Sequence, residues 1–350
     1  MTFRTTNIYL LKRKLNITEI KPLIKWAGGK TKLLPTLFEI AYKSLSEKNI
    51  KIDYYEPFFG GGSLYFKLYK EDKIKSAVIN DIIPHLVSFY QTIQDEENIE
   101  GIYKQTTSFE KEFNKVDTRK KRETIYKEWS DEFNSLWLDF ETVDKKEVIK
   151  QTKPENTEER IRSASLFLAL NKAGFNGMFR LNNSGKFNIP IGDKTQLNIV
   201  NKDSLKRTSL ALKDVEIICG SYEKILPPNK QIDPKTSFIY LDPPYIPNSK
   251  TASFTDYSKE GFKEEDHDKL AKVFQELVDG GYKVLLSNNN NTEAVQKYVK
   301  ETKNTFAYEI MVTRQIGSTV IDEKGVSTRP KVSEIIVSSF KLDIPELKKI

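Results

Sequence analysis

Six short apolar runs, each long enough for one buried strand, recur along this chain with helical patterns between several of them. They lie at 52–56, 77–80, 215–219, 238–241, 283–287 and 334–337. The stretch 266–278 shows the helical pattern, with four apolar side chains on one face: Leu270, Val273, Phe274 and Leu277. Strands that alternate with helices are typical of a mostly parallel sheet covered on both faces. The sequence therefore predicts an α/β fold.

The block 85–212 interrupts this alternation. Aromatic and apolar residues recur at helical spacing over 122–140, which predicts an amphipathic helix with Trp129 and Trp137 facing a core. A second helix is predicted over 161–173, ended by Gly174. The block is therefore interpreted as a helical insertion. The predicted division of the chain is 21–84, 85–212 and 213–345.

Composition limits the classes of function. The 350 residues carry a formal net charge of +7, which mildly favours an anionic partner. Cys219 is the only cysteine, so a disulfide framework and a cysteine zinc site are excluded, and we expect its side chain to be buried. His85 and His267 are too few for a histidine-rich metal site, and no metal is expected. No membrane-length apolar stretch or signal peptide is visible, so a cytoplasmic location is expected.

The segment Asp242-Pro-Pro-Tyr245 directly follows the apolar run 238–241. Proline lacks an N–H and has a fixed φ, so the chain must leave the sheet at this point. In open α/β sheets, ligands bind at this edge. A carboxylate, two free proline carbonyls and a flat phenol suit a planar base with an exocyclic amine. The alternative is a proline turn with a capping aspartate.

A glycine-rich segment, 55–63, follows the first strand. The consecutive glycines Gly60–Gly62 let a ligand approach the backbone closely. The next strand ends in Asn80-Asp81, and an acid at this place commonly holds ribose hydroxyls. The alternative is a tight turn and a helix cap. The G-x-G-x-x-G spacing of a dinucleotide site is absent.

Two further segments carry candidate binding residues. In 22–30, Trp26 stands beside a glycine pair and between lysines, where it could stack on a ligand, although an N-terminal arm could contain this by chance. Residues 175–192 contain an Asn-Asn-Ser-Gly turn, which predicts a β-hairpin. Arg180 on this ribbon could read a guanine edge in the major groove. The alternative is an ordinary polar hairpin.

Together these segments resemble the Dam-type (GATC-like) DNA adenine-N6 methyltransferases, whose motifs follow the order cofactor loop, target-recognition domain and D-P-P-Y. The resemblance covers 21–340 and implies a Rossmann-like methyltransferase sheet with a helical target-recognition insertion and a β-hairpin. The matching motifs are 25–30, 56–63, 80–81, 175–192, 242–245, 253–255, 286–288 and 332–334.

The resemblance implies that a methyl group moves from S-adenosylmethionine to the exocyclic amine of a flipped adenine in duplex DNA. The implied target is GATC, in a Dam-like or restriction-modification role. The implied catalytic residues are Asp242, Pro243 and Tyr245. The implied cofactor-binding residues are Trp26, Gly28, Gly29, Lys30, Glu56, Phe58, Gly60, Gly62, Asp81, Tyr222 and Asp242.

The resemblance also implies double-stranded DNA as the partner of a monomeric, metal-free protein associated with the nucleoid. Arg180 and Asn182 would read bases, Phe175 or Asn176 would wedge into the opened duplex, and Pro190 would pack against a neighbouring pair. The implied DNA-binding residues are Lys25, Phe175, Asn176, Arg180, Asn182, Lys186 and Pro190.

The chain departs from the family pattern in two places. Gly220-Ser221-Tyr222 stands where the family often has Asp-Phe, so the aromatic is kept and the acid is lost. Asp193-Lys194 follows Gly192, where an aromatic is common. Contacts to the outer part of the target are therefore the least constrained by the resemblance.

Three alternatives remain at this point. A methyltransferase acting on RNA or protein is disfavoured by the Arg180 ribbon and the helical insertion. An inert DNA-binding module predicts damage to Asp242–Tyr245 or to Gly60–Gly62, and both are intact. A nicotinamide dehydrogenase lacks its glycine spacing.

Overall fold

The computed structural model describes residues 15–43, 51–143, 146–151, 153–228, 232–246, 262–313, 320–321, 327–328 and 331–350. The motif 253–255 lies outside the described residues. The helices in these ranges are α1 (Leu34–Lys43), α2 (Ser63–Lys70), α3 (Pro84–Gln94), α4 (Ile99–Lys115), α5 (Arg119–Trp137), α6 (Thr157–Ala173), α7 (Lys202–Leu212), α8 (Glu264–Asp279) and α9 (Thr292–Val295). The strands are β1 (Ile52–Glu56), β2 (Ile74–Asp81), β3 (Leu138–Val143), β4 (Lys146–Gln151), β5 (Val215–Cys219), β6 (Ser237–Leu241), β7 (Lys283–Asn289), β8 (Phe306–Thr313), β9 (Val320–Ile321), β10 (Ser327–Thr328), β11 (Lys331–Ser338) and β12 (Lys348–Lys349).

The chain divides into two compact units. Of the described residues, the helical unit contains 15–29 and 83–214, and the sheet unit contains 30–82, 215–246 and 262–350 with the gaps given above. The sheet unit is therefore built from chain segments on both sides of the helical one.

The sheet unit contains an eight-stranded sheet in the order β12-β8-β11-β7-β6-β1-β2-β5. The strands β7, β6, β1, β2 and β5 run parallel to one another, while β11 is antiparallel to both β7 and β8. The α/β fold expected from the sequence is confirmed.

The strand order reverses between β1 and β6. From β1 the chain continues outward through β2 to β5, and it then returns to the other side of β1 to form β6 and β7. Such a switch point opens a crevice outside the carboxyl ends of the two strands. Glu56 is the last residue of β1, and Asp242 directly follows β6. The strand order therefore brings these two acids to the crevice.

The centre of the sheet is apolar because its strands are covered on both faces. All five residues of β1 and all five of β6 are buried. Helix α8 contributes Leu270, Phe274 and Leu277 to the core that contains Leu241 and Leu286. Full burial of one such side chain contributes about 1.5–3 kcal/mol to stability. The sheet is thus a rigid support for the side chains at its carboxyl edge.

The helical unit is organised around α6. This helix packs against α3, α4 and α5, and residues on every side of it are buried. A helix that is buried on every side lies inside a core and not at its surface. Trp129 and Trp137 are buried, which confirms their predicted core positions.

Two local predictions were wrong. The helix expected over 122–140 ends at Trp137, and β3 pairs with β4 from Leu138 onward. Phe140 fits both the helical period from Trp137 and the alternating period from Leu138, so spacing could not separate them. Cys219 is half-buried because β5 is the last strand of the sheet and pairs only with β2. This partial burial raises the pKa of its thiol.

Candidate functional site

Asp242 is held at the carboxyl end of β6 by two side chains from elsewhere in the sheet unit. The Lys30 Nζ lies 2.7 Å from both carboxylate oxygens, and Lys30 is only 8% exposed. The Ser287 hydroxyl donates to Asp242 Oδ1 at 2.9 Å and is itself 3.0 Å from the hydroxyl of Tyr240. The carboxylate therefore has a fixed orientation and a nearby positive charge.

Tyr245 closes the same motif at its other end. Its hydroxyl donates to Glu334 Oε2 at 2.7 Å, and the Lys30 ammonium lies over its ring, 4.6 Å from the centroid. Burial raises the pKa of the phenol, and the acids Asp242 and Glu334 raise it further. Tyr245 is therefore a neutral hydrogen-bond donor at neutral pH.

Glu56 is a buried carboxylate at the end of β1. Its carboxylate accepts a hydrogen bond from the Tyr54 hydroxyl at 2.9 Å. Burial is the main reason that its pKa lies well above the ordinary value, with Asp242 and Asp81 adding repulsion and Lys30 opposing them. Four acids (Glu56, Asp81, Asp242 and Glu334) and the buried Lys30 thus share this end of the sheet unit.

The glycine-rich loop after β1 is tied to the end of β2. The Gly60 N–H donates to Asp81 Oδ2 at 2.9 Å, and the Phe59 N–H donates to the Asn80 carbonyl at 2.9 Å. Gly62 adopts φ +66°, and a Cβ there would come within 2.3 Å of the Phe59 ring. Glycine at this position is therefore required by both backbone conformation and space.

Asn80 carries a buried polar atom that has no hydrogen-bond partner within the described part of the chain. Its Nδ2 donates to the carbonyls of Pro57 and Gly220 at 3.0 and 2.9 Å. Its Oδ1 is buried and has no hydrogen-bond partner among the described residues. Because buried polar atoms are normally paired, this oxygen is a candidate acceptor for a ligand.

Phe58 of the glycine-rich segment packs with two further aromatic rings, Tyr222 and Phe262. The ring centroids of Phe58 and Tyr222 are 5.6 Å apart, and that of Phe262 lies 5.8 Å from Phe58 and 6.4 Å from Tyr222. In the segment Gly220–Tyr222, where the chain departs from the family pattern, Tyr222 supplies the aromatic ring and Ser221 stands in place of the acid.

The remaining predicted cofactor residues, Trp26, Gly28 and Gly29, belong to the helical unit. The Trp26 ring is stacked on Phe179 with 5.9 Å between centroids. Gly28 adopts φ +78°, and a Cβ on Gly29 would lie 2.9 Å from the Trp26 carbonyl. The two glycines are thus needed for a tight turn after Trp26.

The backbone of Lys25 is hydrogen-bonded to Asn171, near the end of α6. The Lys25 N–H donates to Asn171 Oδ1 at 3.0 Å, and Asn171 Nδ2 donates to the carbonyls of Lys25 and Gly177 at 2.9 and 2.8 Å. The Lys25 side chain is exposed. Asn171 is therefore the residue that positions Lys25 beside Gly177.

The predicted hairpin is present, with one isolated bridge between Leu181 and Phe187. Asn182 Oδ1 accepts from the N–H groups of Ser184 and Lys186, both at 3.0 Å, so this oxygen builds the turn. The Arg180 Nε donates to Asn188 Oδ1 at 2.9 Å across the hairpin, and both residues are exposed.

The base of the hairpin presents a large exposed aromatic. Phe175 is 48% exposed, and its N–H donates to the carbonyl of Pro190, which is also exposed. Asn176 beside it adopts φ +55°, a left-handed conformation that is uncommon outside glycine and is enriched at functional sites. These three predicted residues lie together in the helical unit.

Four lysines of the helical unit form a like-charged cluster. Burial, followed by repulsion from Lys194, Lys25 and Lys21, lowers the pKa of Lys172 to about 8. The Lys194 Nζ donates to the Lys172 carbonyl at 2.9 Å. The neighbouring acid, Asp193, is paired with Arg119 at 2.9 Å and does not offset the cluster. An anion is the partner that would relieve this repulsion.

No role is predicted from the sequence for Ser287, Glu334 or Asn171. Ser287 and Glu334 stand in short segments that resembled family motifs, as polar residues in otherwise apolar strands. That interruption of an apolar run was the available signal. Asn171 lies inside a helix and carried no signal of its own.

Within the described ranges, no group of three or more potential ligands could hold a metal ion. Among the described helices, none is both long and apolar enough to cross a membrane.

Comparison with known proteins gives a family match and full-length relatives. A family model described as D12 class N6 adenine-specific DNA methyltransferase matches residues 26–316. The Type II methyltransferase M.MjaIII of Methanocaldococcus jannaschii is 32% identical over 323 residues, covering 92% of this chain and 100% of that protein. M1.LlaDCHI of Lactococcus lactis subsp. cremoris is 31% identical over 95% of this chain and 98% of its own length. A DNA adenine methylase of Escherichia coli K12 is 27% identical, with coverages of 90% and 94%.

Proposed function

We propose, on the premise that this chain belongs to the family of D12 class N6 adenine-specific DNA methyltransferases, that it methylates a flipped adenine within GATC in duplex DNA. The observation that carries the proposal is the Asp242–Tyr245 motif at the switch point of the sheet, with its acid held by Lys30 and Ser287 and its tyrosine by Glu334. The role would be Dam-like or part of restriction-modification.

The methyl donor in this proposal is S-adenosylmethionine, which supplies an electrophilic methyl group when bound. The sheet unit offers matching groups: Lys30 for a carboxylate, Glu56 and Asp242 for an ammonium, Asp81 for a ribose diol. The unsatisfied Asn80 Oδ1 supports a bound polar ligand. Other residues proposed to hold it are Phe58, Gly60, Gly62 and Tyr222, and from the helical unit Trp26, Gly28 and Gly29.

In the proposed mechanism, Asp242 acts on the adenine amine. Its carboxylate accepts one amine N–H and the Pro243 carbonyl accepts the other, which turns the nitrogen lone pair out of conjugation with the ring. Positioning of this lone pair in line with the methyl group supplies much of the acceleration. The methylated nitrogen is acidic enough to lose its proton without a strong base, so Asp242 is not assigned that role.

Tyr245 has the role of binding the flipped base. Removing an adenine from the duplex costs a few kcal/mol. Stacking on an aromatic ring returns about 1–3 kcal/mol per base. A ring anchored through its hydroxyl loses little further freedom on binding, so more of this energy is available to hold the adenine.

The helical unit is proposed as the part that binds the duplex. The lysine cluster of Lys21, Lys25, Lys172 and Lys194 supports contact with phosphates, because an anion relieves its repulsion. The exposed Phe175 and the left-handed Asn176 support a wedge at the opened base pair, with Pro190 packing beside it. The cationic cluster and the exposed aromatic ring favour a nucleic acid over a protein substrate.

Arg180 is proposed to read a guanine of the target. Since its Nε is used by Asn188, the terminal nitrogens of the guanidinium would meet the base edge. Asn182 is proposed to read a base through its Nδ2, because its Oδ1 holds the turn. Lys186 would contact a phosphate. The Asp193–Arg119 ion pair lets the segment after Gly192 lie near phosphates without an unpaired acid.

The expected division of labour follows from these roles. Segments 21–84 and 213–345 would bind the cofactor and perform catalysis, and 85–212 would recognise the target. We propose that the protein works as a metal-free monomer in the cytoplasm, associated with the nucleoid through DNA.

The deciding experiment is methylation of duplexes that contain GATC or one of its single-base-pair variants, with tritiated S-adenosylmethionine as the donor. Wild-type protein should label GATC, and Asp242→Ala should lose transfer while keeping its unfolding midpoint. A loss of tenfold is only about 1.4 kcal/mol of transition-state stabilisation, so a mutant within that range would contradict the role of Asp242. Equal labelling of all variants would contradict the GATC assignment.

A further inference from the structure

Glu334 is a half-buried acid with no ion pair of its own among the described residues. It lies on β11 opposite Asn289 of β7 and Ile310 of β8, in the interior of the sheet. Burial raises the pKa of its carboxyl group, and Asp242 adds to this, while Lys30 and the Tyr245 hydroxyl oppose it. An apolar side chain at such a position would be less costly to bury.

The contact that offsets this cost is the hydrogen bond from the Tyr245 hydroxyl, at 2.7 Å. The two residues are 89 positions apart in the chain, so the contact is made by the fold and not by local geometry. It joins the D-P-P-Y segment to β11, beyond β7, the strand that supplies Ser287.

Lys30 restricts the same ring from one side. Its ammonium lies over the Tyr245 ring, 4.6 Å from the centroid. One face of the phenol is therefore covered by a cation, so a base that stacks on this ring would have to use the opposite face. The Glu334 hydrogen bond fixes the direction of the ring axis, and Lys30 selects the face.

We propose that Glu334 is a positioning residue for methyl transfer, which orients the Tyr245 ring to receive the flipped adenine. The inference rests on the proposed roles of Asp242 and Tyr245. Glu334 acts as a hydrogen-bond acceptor for Tyr245 and need not touch the substrate. Its loss should therefore reduce the rate of the bound complex and leave cofactor affinity unchanged.

The test compares Glu334→Ala, Glu334→Gln, Tyr245→Phe and the double variant Glu334→Ala/Tyr245→Phe. Glu309→Ala is the matched control, because Glu309 lies on the neighbouring strand, faces the other side of the sheet and bonds to Ser333 and Asn290. Two quantities are measured at saturating protein: the single-turnover methylation rate, and the emission of 2-aminopurine placed at the target adenine.

Glu334→Ala should lower the rate about tenfold or more, the range for losing a hydrogen bond to a charged group, and should reduce the 2-aminopurine signal. Glu334→Gln keeps an acceptor and should stay within about threefold of wild type. The rate of Tyr245→Phe should equal that of Glu334→Ala. The double variant should be no slower than either single variant, because both substitutions remove the same hydrogen bond. Glu309→Ala should behave as wild type.

The proposal is overturned if Glu334→Ala keeps the wild-type rate, if glutamine fails to rescue, or if the two losses multiply in the double variant. Should Glu334→Ala fail to fold, Glu334→Gln and Tyr245→Phe still decide between these outcomes. Wild type is measured first: if it transfers no methyl to adenine in any duplex, the proposed function fails and the inference fails with it. An active wild type with an unchanged Glu334→Ala contradicts the inference alone.

Discussion

At the scale of single residues, the carboxyl edge of the sheet combines groups that oppose one another in the folded protein. Glu56 is buried near Asp242 and Asp81, and the Tyr54 hydroxyl and Lys30 only partly compensate. A charged carboxylate held in this way lowers the stability of the folded state. Such a cost is common where a site must be ready to bind a charged ligand.

We predict that Glu56→Gln stabilises the protein and weakens cofactor binding. Because burial raises the folded pKa of Glu56 above the unfolded value of 4.5, the folded state binds more protons at this group, and the contribution of Glu56 to wild-type stability falls as pH rises through the interval between the two pKa values. Glutamine does not titrate and still accepts from Tyr54. The stability difference should therefore be absent below pH 4.5 and grow above it, by at most about 1.4 kcal/mol per pH unit.

The measurement is the free energy of unfolding by urea as a function of pH, in the absence of cofactor. Glu216→Gln is the control, because Glu216 is exposed on β5. Parallel curves for Glu56→Gln and wild type would contradict the prediction.

At the scale of elements, the hairpin of the helical unit separates two kinds of DNA contact on one short ribbon. Asn182 Oδ1 fixes the turn, and the Arg180–Asn188 hydrogen bond fixes the orientation of the guanidinium. An arginine oriented by its own hairpin is suited to reading a base edge. A lysine near the turn is suited to a point contact with a phosphate.

Arg180→Ala should therefore change the discrimination between target sequences, whereas Lys186→Ala should change the affinity for DNA of any sequence. Loss of a bidentate arginine–guanine contact should cost about 1–3 kcal/mol and relax discrimination at one position of the target. Loss of Lys186 should weaken binding to all sequences alike and reduce the dependence of affinity on salt. Binding and methylation are measured on the single-base-pair variants of GATC at several salt concentrations. If Arg180→Ala loses activity without relaxing any position, Arg180 is not the reader.

The sequence predicted those elements whose pattern is local. The helix expected over 266–278 is α8, and the strand before Asp242 is β6, since burial and periodicity agree in both. The end of α5 was not predicted correctly, because the position of Phe140 fits both the helical period and the alternating period of a strand. Contacts such as Tyr245–Glu334 could not be predicted, because they depend on which strands become neighbours in the sheet. The roles assigned to the candidate site residues stay predictions.

At the scale of the whole molecule, each unit contains one buried histidine, and the chain has no other. Burial lowers the pKa of His85 to about 3 and, with Lys297 adding repulsion, that of His267 to about 4. His85 packs on the Trp137 ring at 4.0 Å between centroids, and His267 Nδ1 is 2.6 Å from the Tyr298 hydroxyl. Both rings are therefore neutral in the folded protein.

We predict that the contribution of the two histidines to the stability of the folded protein is lost as pH falls from 6.5. The unfolded chain binds protons at its histidines below that value while the folded chain does not, so stability present above pH 6.5 is lost progressively towards pH 4. His267→Gln removes one of the two contributions and should make the decline shallower, by up to about 1.4 kcal/mol per pH unit. Unfolding midpoints between pH 4 and 7.5 test this, and identical slopes in mutant and wild type would count against it.

The larger part of the helical unit, residues 83–214, is inserted in the chain between two strands that are neighbours in the sheet. Residues 82–214 connect β2 to β5, and these strands pair from Ala77 with Val215 to Asp81 with Cys219. Parallel neighbours always need a crossover connection, and its ends are only about one strand length apart whatever the size of the crossover. This crossover can therefore diverge, lengthen or be exchanged between relatives while Asp242, Lys30 and Glu334 stay in register. A new target sequence could thus arise when the segment between β2 and β5 is replaced while the residues at the carboxyl edge of the sheet are kept.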